Sequence, residues 1–259
     1  MNASSKPHIT IIMPCYNGER YLGRAIEAFF AQEYSNKKLV IVDGKSIDES
    51  HRIITDFVAN GYPIIWDKTP DVGISNAINI GLRYLKEGDV FGYLGADDIL
   101  LPNVLLEVAN LFSIATGIDG LYFDSYSYLG ECGKLTYRKC PTADFSLANL
   151  LKFGTIVGLQ NIFIKRELVA AHGFTETNRF SMDYDLYIRL AKNKTLNFTY
   201  VPTPSSINMM YGNLSTKFVF EGALEAINAA VKQVGYTPRL MYRLAGLWRG
   251  RIKHAFLDI

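Results

Sequence analysis

The chain of 259 residues lacks several features that mark secreted, membrane-spanning and nucleic-acid-binding proteins. It has three cysteines, an odd number without close metal-ligand spacing; Cys132 and Cys140 could pair, but we expect reduced thiols. No uninterrupted apolar stretch is long enough to span a bilayer, and residues 1–7 contain no secretory hydrophobic segment. The net charge of +2 implies no general affinity for nucleic acid. We therefore expect a soluble cytosolic protein that does not bind nucleic acid.

The first half of the chain alternates strand-like and helix-like segments with short connections. Each apolar run is followed by a segment with apolar residues at helical spacing. This order predicts an α/β fold, in which helices flank a central, mostly parallel sheet with right-handed crossovers. The predicted strands are His8–Met13, Lys38–Val42, Ile64–Trp66 and Val90–Leu94, and the predicted helices are Tyr21–Ala31, Ser46–Asn60 and Ser75–Leu85.

The pattern changes after Leu121, where two runs around residues 130–133 predict an antiparallel hairpin. We expect one domain over residues 1–215, with halves at about 8–120 and about 121–215, and a helical extension over residues 216–259. The further predicted strands are Leu121–Tyr128, Gly133–Arg138 and Asn161–Ile164, and the further predicted helices are Phe145–Leu151, Arg166–His172, Met182–Ala191 and Glu221–Val234.

Two adjacent carboxylates, Asp97 and Asp98, follow the fourth predicted strand. Ligands of open α/β sheets bind beyond the carboxyl ends of the strands, where this pair would project. Because two neighbouring carboxylates repel each other, burying them calls for a compensating cation, and hard oxygen ligands suit Mg²⁺ or Mn²⁺. A metal that carries a phosphorylated substrate is one interpretation. In the other, Asp98 caps a helix that starts near Leu101.

Polar residues also follow the first three predicted strands. Tyr16, after the Pro14 that ends the first strand, is placed to stack on a base or to pack in an ordinary turn. Asp43, after the second strand, is placed to accept hydrogen bonds from a ribose or a base. Asp71 and Gly73 lie in the third loop, and Asn79 lies on the helix that follows. A polar Asn on an apolar helix is costly unless it faces solvent or a site.

These segments, taken in order, resemble the inverting family 2 glycosyltransferases with the Rossmann-like GT-A fold. The matching residues are Pro-x-Tyr-Asn at Pro14, the turn at Asp43, the segment from Asp71 to Gly81, and the Asp97-Asp98 pair. A fifth match, at residues 181–190, contains Asp183. The resemblance covers about Ile9 to Ser215, and its closest branch assembles bacterial O-antigen, capsule and exopolysaccharide.

The resemblance implies a metal-dependent sugar transfer from a nucleotide-sugar donor, with a UDP-sugar as the first expectation. Asp98 would hold Mn²⁺ or Mg²⁺, and Asp183 would be the general base that takes the acceptor proton, although Asp183 could instead cap a helix. Asp124 and Gln160 would face the transferred sugar or the acceptor, or serve as satisfied core polar groups. The residues implied in donor binding are Pro14, Tyr16, Asn17, Glu19, Asp43, Asp71, Gly73, Asn79 and Asp97.

Two positions depart from the family pattern. Met182 replaces the acid that commonly precedes the base, and Gly44 replaces a second acid that reads the base of the nucleotide in many relatives. These departures keep open a non-catalytic nucleotide-sugar-binding or partner-dependent subunit. A nucleotidyltransferase is a further alternative, but the first loop lacks the Gly-rich, basic signature that holds a triphosphate.

The C-terminal stretch, residues 237–259, interleaves apolar residues with Arg and Lys. A basic amphipathic helix suits the anionic inner face of the cell membrane, where a lipid-linked saccharide acceptor would reside. The alternative is a helix that docks on the catalytic domain with its basic residues solvated. The apolar C-terminal helices could also form the contact of a homodimer.

Overall fold

A computed structural model of the protein describes residues 6–129, 133–210, 218–242 and 245. Within these residues, nine strands form one sheet flanked by helices, which confirms the predicted α/β class. The strands are β1 Ile9–Pro14, β2 Lys37–Val42, β3 Ile64–Asp67, β4 Val90–Tyr93, β5 Ile99–Leu100, β6 Gly120–Leu129, β7 Lys134–Arg138, β8 Ile162–Lys165 and β9 Phe198–Met209. The helices are α1 Leu22–Phe30, α2 Ser50–Ala59, α3 Ile74–Leu82, α4 Val104–Ile114, α5 Leu147–Phe153, α6 Arg166–His172, α7 Met182–Ala191 and α8 Val219–Val234, with a 3₁₀ turn at Leu159–Asn161.

The sheet has a parallel half and a mixed half. The strand order is β3-β2-β1-β4-β8-β6-β9-β5, and β7 pairs with β6. Strands β1 to β4 are all parallel, whereas β8 is antiparallel to both of its neighbours, β4 and β6. Strand β6 therefore runs in the same direction as β4. As a result, the carboxyl ends of β1 to β4 and of β6 share one edge of the sheet.

Two apolar cores lie on opposite faces of this sheet. Ile11 belongs to the core under α1, α2 and α4, and its neighbour Ile12 belongs to the core under α3, α5 and α7. Because successive side chains of a strand point to opposite faces, a strand covered on both sides reads as a continuous apolar run. Each Ile, Leu or Phe that is fully buried here contributes about 2 kcal/mol. The packing of these two cores fixes the positions of the strands, and the polar loops follow the ends of those strands.

Every predicted strand and helix is present, including the hairpin; α6 and α7 have the predicted bounds, and the bounds of other elements differ by a few residues. Helix α2 begins at Ser50 rather than Ser46, because Asp43 and Asp48 accept backbone N–H groups in the preceding turn. The sequence analysis did not predict α4, β5 or β9. Strand β9 contains two prolines, which are rare inside strands, and its register with β6 shifts beside Pro204.

Among the helices of the described residues, none combines the length and the apolar character needed to cross a membrane. Three subjects of the sequence analysis lie outside the described residues: Cys132, the segment 211–217 with the predicted boundary near Ser215, and most of the basic stretch 237–259.

The loop after β3 leaves no room for a side chain at position 44. A Cβ added to Gly44 would lie 2.6 Å from the carbonyl oxygens of Lys68 and Thr69, which are backbone atoms. This contact explains why Gly44 cannot be the second acid found in many relatives unless the loop moves.

We expect Gly44→Ala to lower the free energy of unfolding by about 1–3 kcal/mol, because the backbone of residues 68–69 must shift. Urea unfolding of the variant and of the parent protein measures the difference. Gly23→Ala on α1 is the matched control, since the nearest atom to its added Cβ is 4.0 Å away. Equal stability of Gly44→Ala and Gly23→Ala would contradict the steric argument.

Candidate active site

The first two loops at the carboxyl edge are bonded to each other. Asn17 Oδ1 accepts a hydrogen bond from the Ile47 N–H at 3.0 Å, and the Asn17 N–H donates to Ser46 Oγ at 2.8 Å. Glu19 Oε2 accepts from the Glu49 N–H at 3.0 Å. Asn17 has a positive φ of 51°, which Asn tolerates better than most residues. The side chains of Asn17 and Glu19 therefore support the loop structure, and their part in donor binding stays a prediction.

Tyr16 stands at the edge of these loops with its ring 67% exposed, directly after β1 and its terminal Pro14. Ile47, in the second loop, is 90% exposed. An exposed aromatic ring at the end of a parallel strand is available to stack on a base. The structure therefore leaves open the stacking role that the sequence predicts for Tyr16.

Asp43 is buried at the end of β2 and organises the second loop. Its Oδ1 accepts hydrogen bonds from the Ser46 N–H at 2.9 Å and lies 3.2 Å from His51 Nε2. Burial of the Cys15 thiol, together with the charge of the neighbouring Asp43, raises the pKa of Cys15 to about 12. The contacts of the buried Asp43 carboxylate with Ser46 and His51 stabilise the conformation of the second loop. Direct contact between Asp43 and a nucleoside stays a prediction.

The third loop leads into α3. Asp71 Oδ1 accepts a hydrogen bond from the Gly73 N–H at 2.9 Å, and Gly73 has a φ of 138°, which favours glycine. Asn79 bonds the backbone of Phe174, accepting from its N–H at 2.8 Å and donating to its carbonyl at 2.9 Å. Asn79 thus satisfies its polar groups by tying α3 to the segment before α7. Its role towards the nucleotide stays a prediction.

The carboxylates of Asp97 and Asp98 converge above Gly95. A Cβ added to Gly95 would lie 2.8 Å from Asp97 Oδ1 and 2.9 Å from Asp98 Oδ2. Asp98 is buried, and its Oδ1 accepts a hydrogen bond from the Met209 N–H at the end of β9 at 3.1 Å. Burial and the neighbouring charge of Asp97 raise the pKa of Asp98 to about 8. The alternative that Asp98 caps a helix is wrong, because α4 has Asn103 as its N-cap.

The paired carboxylates fit a divalent cation. Two carboxylate oxygens share one small space, and burial of Asp98 makes its negative charge costly until a proton or a cation neutralises it. Carboxylate oxygens are the ligands that Mg²⁺ and Mn²⁺ prefer. The pair provides two carboxylates, and within the described residues, this site included, no group of three or more His, Cys, Asp or Glu is placed to hold a metal. A metal here would therefore need further oxygen ligands from a substrate or water.

Tyr93, which ends β4, is influenced by the charges of both this pair and Asp183. Burial raises the pKa of Tyr93 well above its ordinary value, and the charges of Asp98, Asp97 and Asp183 raise it further. All three carboxylates therefore lie near enough to Tyr93 for their charges to act on it. Sequence reasoning did not select Tyr93, although its place at the end of the strand that precedes the two aspartates was a signal for it.

Asp183 lies in the first turn of α7, where its Oδ1 accepts a hydrogen bond from the Tyr184 N–H at 2.7 Å. The N-cap residue of α7 is Ser181, so Asp183 is not the cap. The side chain is partly exposed, and the burial of its carboxyl raises the pKa of Asp183 to about 6. A partly accessible carboxylate with a pKa near neutrality has the properties of a general base.

The acceptor-side candidates differ in their surroundings. Both oxygens of the buried Asp124 accept a hydrogen bond from the Tyr200 hydroxyl, Oδ1 also accepts from the Cys140 N–H at 2.7 Å, and Tyr137 donates to Oδ2. These hydrogen bonds satisfy both oxygens of Asp124, as expected for a polar group in the core. Gln160 is half-buried, and its side chain folds back over Gly158. Sugar contact by Asp124 and Gln160 stays a prediction.

A cavity of about 140 Å³ opens beside Gly158 at the same edge of the sheet. Its floor includes Ser125 of β6, which pairs with Ser206 of β9. Arg138 and Lys139 border it, and Arg138 Nε donates to Ser127 Oγ at 3.1 Å. The cavity therefore combines hydroxyl groups with positive charge.

Without divalent cations, we expect the melting temperature of the protein to fall as the pH rises from about 4 to about 8. Asp98 keeps its proton in the folded state up to about pH 8 but loses it near its ordinary pKa of 3.8 when unfolded. The folded state then binds more protons, so a higher pH favours unfolding. Asp98→Asn removes this contribution and should flatten the decline when melting is measured in EDTA.

Asp56→Asn on the exposed face of α2 is the matched control. Among the charged groups of the described residues, Asp56 forms an ion pair only with the exposed side chain of Arg52. Asp98→Asn and Asp56→Asn with the same pH dependence of melting would contradict the predicted burial cost of Asp98.

Comparison with known proteins agrees with this arrangement. The family model for "Glycosyl transferase family 2" matches residues 10–167. An uncharacterized glycosyltransferase of Rickettsia felis is 29% identical over 201 residues, which cover 74% of this chain and 33% of that protein. Chondroitin synthase of Escherichia coli is 26% identical over 186 residues, which cover 72% of this chain and 27% of that protein. The chain thus spans about a third or less of these two relatives.

Solved structures share the fold at low sequence identity. The mannosyltransferase PcManGT of Pyrobaculum calidifontis, in complex with GDP-Man and Mn²⁺, has a TM-score of 0.68 at 15% identity, covering 95% of this chain and 71% of that chain. TarS of S. aureus, in complex with UDP-GlcNAc, has a TM-score of 0.65 at 15% identity, covering 93% of this chain and 71% of that chain. The predicted GT-A-like fold is therefore confirmed.

The loops at the carboxyl edge, the Asp97-Asp98 pair and the match over residues 10–167 lead to one conclusion: this chain belongs to glycosyl transferase family 2.

Proposed function

We propose that the chain transfers a sugar from a nucleotide-sugar donor to a hydroxyl of a saccharide acceptor, with inversion, in the assembly of a surface polysaccharide. The observation that carries this proposal is the convergence of the Asp97 and Asp98 carboxylates at the carboxyl edge of the sheet, with Asp183, in the first turn of α7, near enough for its charge to act on the same Tyr93. One carboxylate pair suits a metal-bound diphosphate, and the separate carboxylate of Asp183 suits an acceptor hydroxyl.

Asp183 performs the proton transfer in this proposal. Its carboxylate takes the proton of the acceptor hydroxyl as that oxygen bonds to the anomeric carbon, while the bond from that carbon to the diphosphate oxygen breaks. The pKa of about 6 leaves Asp183 ionised at neutral pH, yet basic enough to accept a proton. Asp98 would hold Mn²⁺ or Mg²⁺, which would supply positive charge to the leaving nucleoside diphosphate.

The donor is a UDP-sugar in our proposal, with Tyr16 stacked on the base and Asp97 in contact with the ribose. TarS, which binds UDP-GlcNAc, supports uridine, whereas PcManGT binds GDP-Man. Gly44, packed against residues 68–69, carries no carboxylate for base recognition, so recognition depends on neighbouring loop groups. A panel of nucleoside diphosphates distinguishes the two bases.

The acceptor occupies the region of Gln160 and the adjacent cavity. That cavity lies on the β6 side of the sheet, whereas the donor loops follow β1 to β4. Arg138 and Lys139 at its border favour an acceptor that carries negative charge. In this proposal, the donor and the acceptor therefore bind on opposite sides of the Asp97-Asp98 turn.

We expect Asp183→Asn to lower the rate of sugar transfer by about 10²–10⁴-fold, because the amide cannot accept the acceptor proton. Binding of the donor nucleotide, measured by calorimetry, should change little, since Asp183 lies outside the donor loops. Asp144→Asn, at an exposed position, is the matched control for the loss of one carboxylate. Normal turnover of Asp183→Asn would show that another group is the base.

The same measurement separates the alternative functions. A non-catalytic subunit would bind nucleotide sugar but transfer no sugar with Mn²⁺ present, in the parent protein as well as in Asp183→Asn. A nucleotidyltransferase would instead release pyrophosphate from a nucleoside triphosphate. The converging carboxylates of Asp97 and Asp98, with Asp183 near the same tyrosine, favour sugar transfer over both.

We also propose that the acceptor is lipid-linked and that residues 237–259 contact an anionic membrane surface. The interleaved basic and apolar residues of this stretch support the proposal. The full chain should co-sediment with vesicles that contain phosphatidylserine, whereas a chain ending near Gly235 should remain in the supernatant. Vesicles of phosphatidylcholine alone are the control for charge. Equal sedimentation of the two chains would favour a helix docked on the domain.

A further inference from the structure

A carboxylate on α8 holds the segment that leads into α7. Glu225 accepts hydrogen bonds from three consecutive backbone N–H groups, those of Arg179, Phe180 and Ser181, at 2.9, 2.8 and 2.8 Å. The Ser181 hydroxyl donates to the same carboxylate at 3.0 Å. Hydrogen bonds to a charged acceptor are about twice as strong as neutral ones. One side chain therefore fixes three residues of backbone.

These bonds end two residues before Asp183. Ser181 is the N-cap of α7; its side chain makes no capping bond to the helix and donates instead to Glu225. Helix α8 also approaches the segment closely, since a Cβ added to Gly222 would lie 3.2 Å from Phe180 Cβ. The start of α7, and with it the position of Asp183, therefore depends on α8.

The other side of the same segment is bonded to α3. Ser75 Oγ donates to the Asn178 carbonyl at 2.8 Å, and Asn76 Nδ2 donates to Glu176 Oε1 at 2.9 Å. Helix α3 follows the third loop, which contains Gly73. Residues 174–181 are thus held between α3 and α8. A group that is held from two sides keeps its orientation during a reaction.

Glu225 also acts on Asp183 through its charge. The groups that influence Asp183 from the elements around it are Tyr93 on β4, Tyr187 on α7 and Glu225 on α8. Burial raises the pKa of both tyrosines well above the ordinary value, so they stay neutral. Glu225 is the negative neighbour that adds to the effect of burial on the Asp183 pKa. Removing its charge would therefore make Asp183 a weaker base.

We propose that Glu225 is a positioning residue for the general base: its carboxylate fixes residues 179–181 and thereby sets the orientation of Asp183. This inference rests on the proposed role of Asp183 as the base. Both residues lie beyond the segment 10–167 that the family model matches. Helix α8 is accordingly part of the catalytic unit, rather than part of an extension separate from it.

The test compares Glu225→Gln with Glu221→Gln, a matched change at an exposed position one turn earlier, in the first turn of α8. Glu225→Gln keeps the shape of the side chain but loses its charge. We expect kcat for transfer to fall by about 10–100-fold, because a small displacement of a catalytic group has effects of that order. The KM for the donor should be unchanged, and the acidic limb of the kcat–pH profile should move to lower pH. Glu221→Gln should match the parent protein.

Three further readouts decide the interpretation. Glu225→Asp should recover part of the lost kcat, and Glu225→Gln should add no further loss in the Asp183→Asn background. An unchanged kcat and pH profile in Glu225→Gln would overturn the proposal. A parallel loss of donor affinity, kcat and melting temperature, without movement of the acidic limb, would also overturn it, since it indicates a merely structural role.

Failure of the proposed function gives a different result. If Asp183→Asn transfers sugar normally, the base is misassigned, whatever Glu225→Gln does. If Asp183→Asn is inactive and Glu225→Gln is unaffected, the general base stands and the positioning role of Glu225 is wrong.

Discussion

The burial of like-charged carboxylates at one edge of a sheet is the constraint on which the rest of this site depends. Asp97 Oδ1 and Asp98 Oδ2 converge above Gly95, and Asp98 is held there by the Met209 N–H. Such a pair is stable only when a proton or a cation neutralises part of its charge. The folded protein therefore favours the binding of a cation at this position. A diphosphate bound to that cation would lie at the carboxyl ends of the parallel strands.

The two halves of the sheet divide the remaining tasks. The loops after the parallel strands β1 and β2 are bonded to each other, so that this part of the proposed donor side is already formed. The mixed half supplies Asp183 through α7, and α7 is positioned by contacts with α3 and α8. In this arrangement, the segment 174–181 links the donor side to the proposed base. The proposed reacting groups Asp98 and Asp183 come from distant parts of the chain, but each accepts a hydrogen bond from a backbone N–H group.

The sequence predicted the parts of this fold that follow from local pattern. The strands of the first half, the hairpin and helix α7 have clear periodicity, and Asp97, Asp98 and Asp183 stand in recognisable segments. Strand β9 was missed because its prolines contradict the strand pattern. Glu225 was missed for another reason: its partners lie 44–46 positions away along the chain, and no local pattern reports such a contact. The sequence suggested Asn79 and Asp124 as site residues. Their hydrogen bonds to other groups of the protein could be found only from the three-dimensional structure.

The most direct test of the central claim is the melting temperature of the protein with UDP, GDP, ADP and CDP, each in Mn²⁺, Mg²⁺ or EDTA. A ligand that binds only the folded state raises the melting temperature by mass action. We predict an increase with UDP that requires the metal and that Asp98→Asn abolishes. No increase with any nucleotide and metal, or an equal increase in EDTA, would contradict the assignment of the Asp97-Asp98 pair as the site of a metal-bound nucleoside diphosphate.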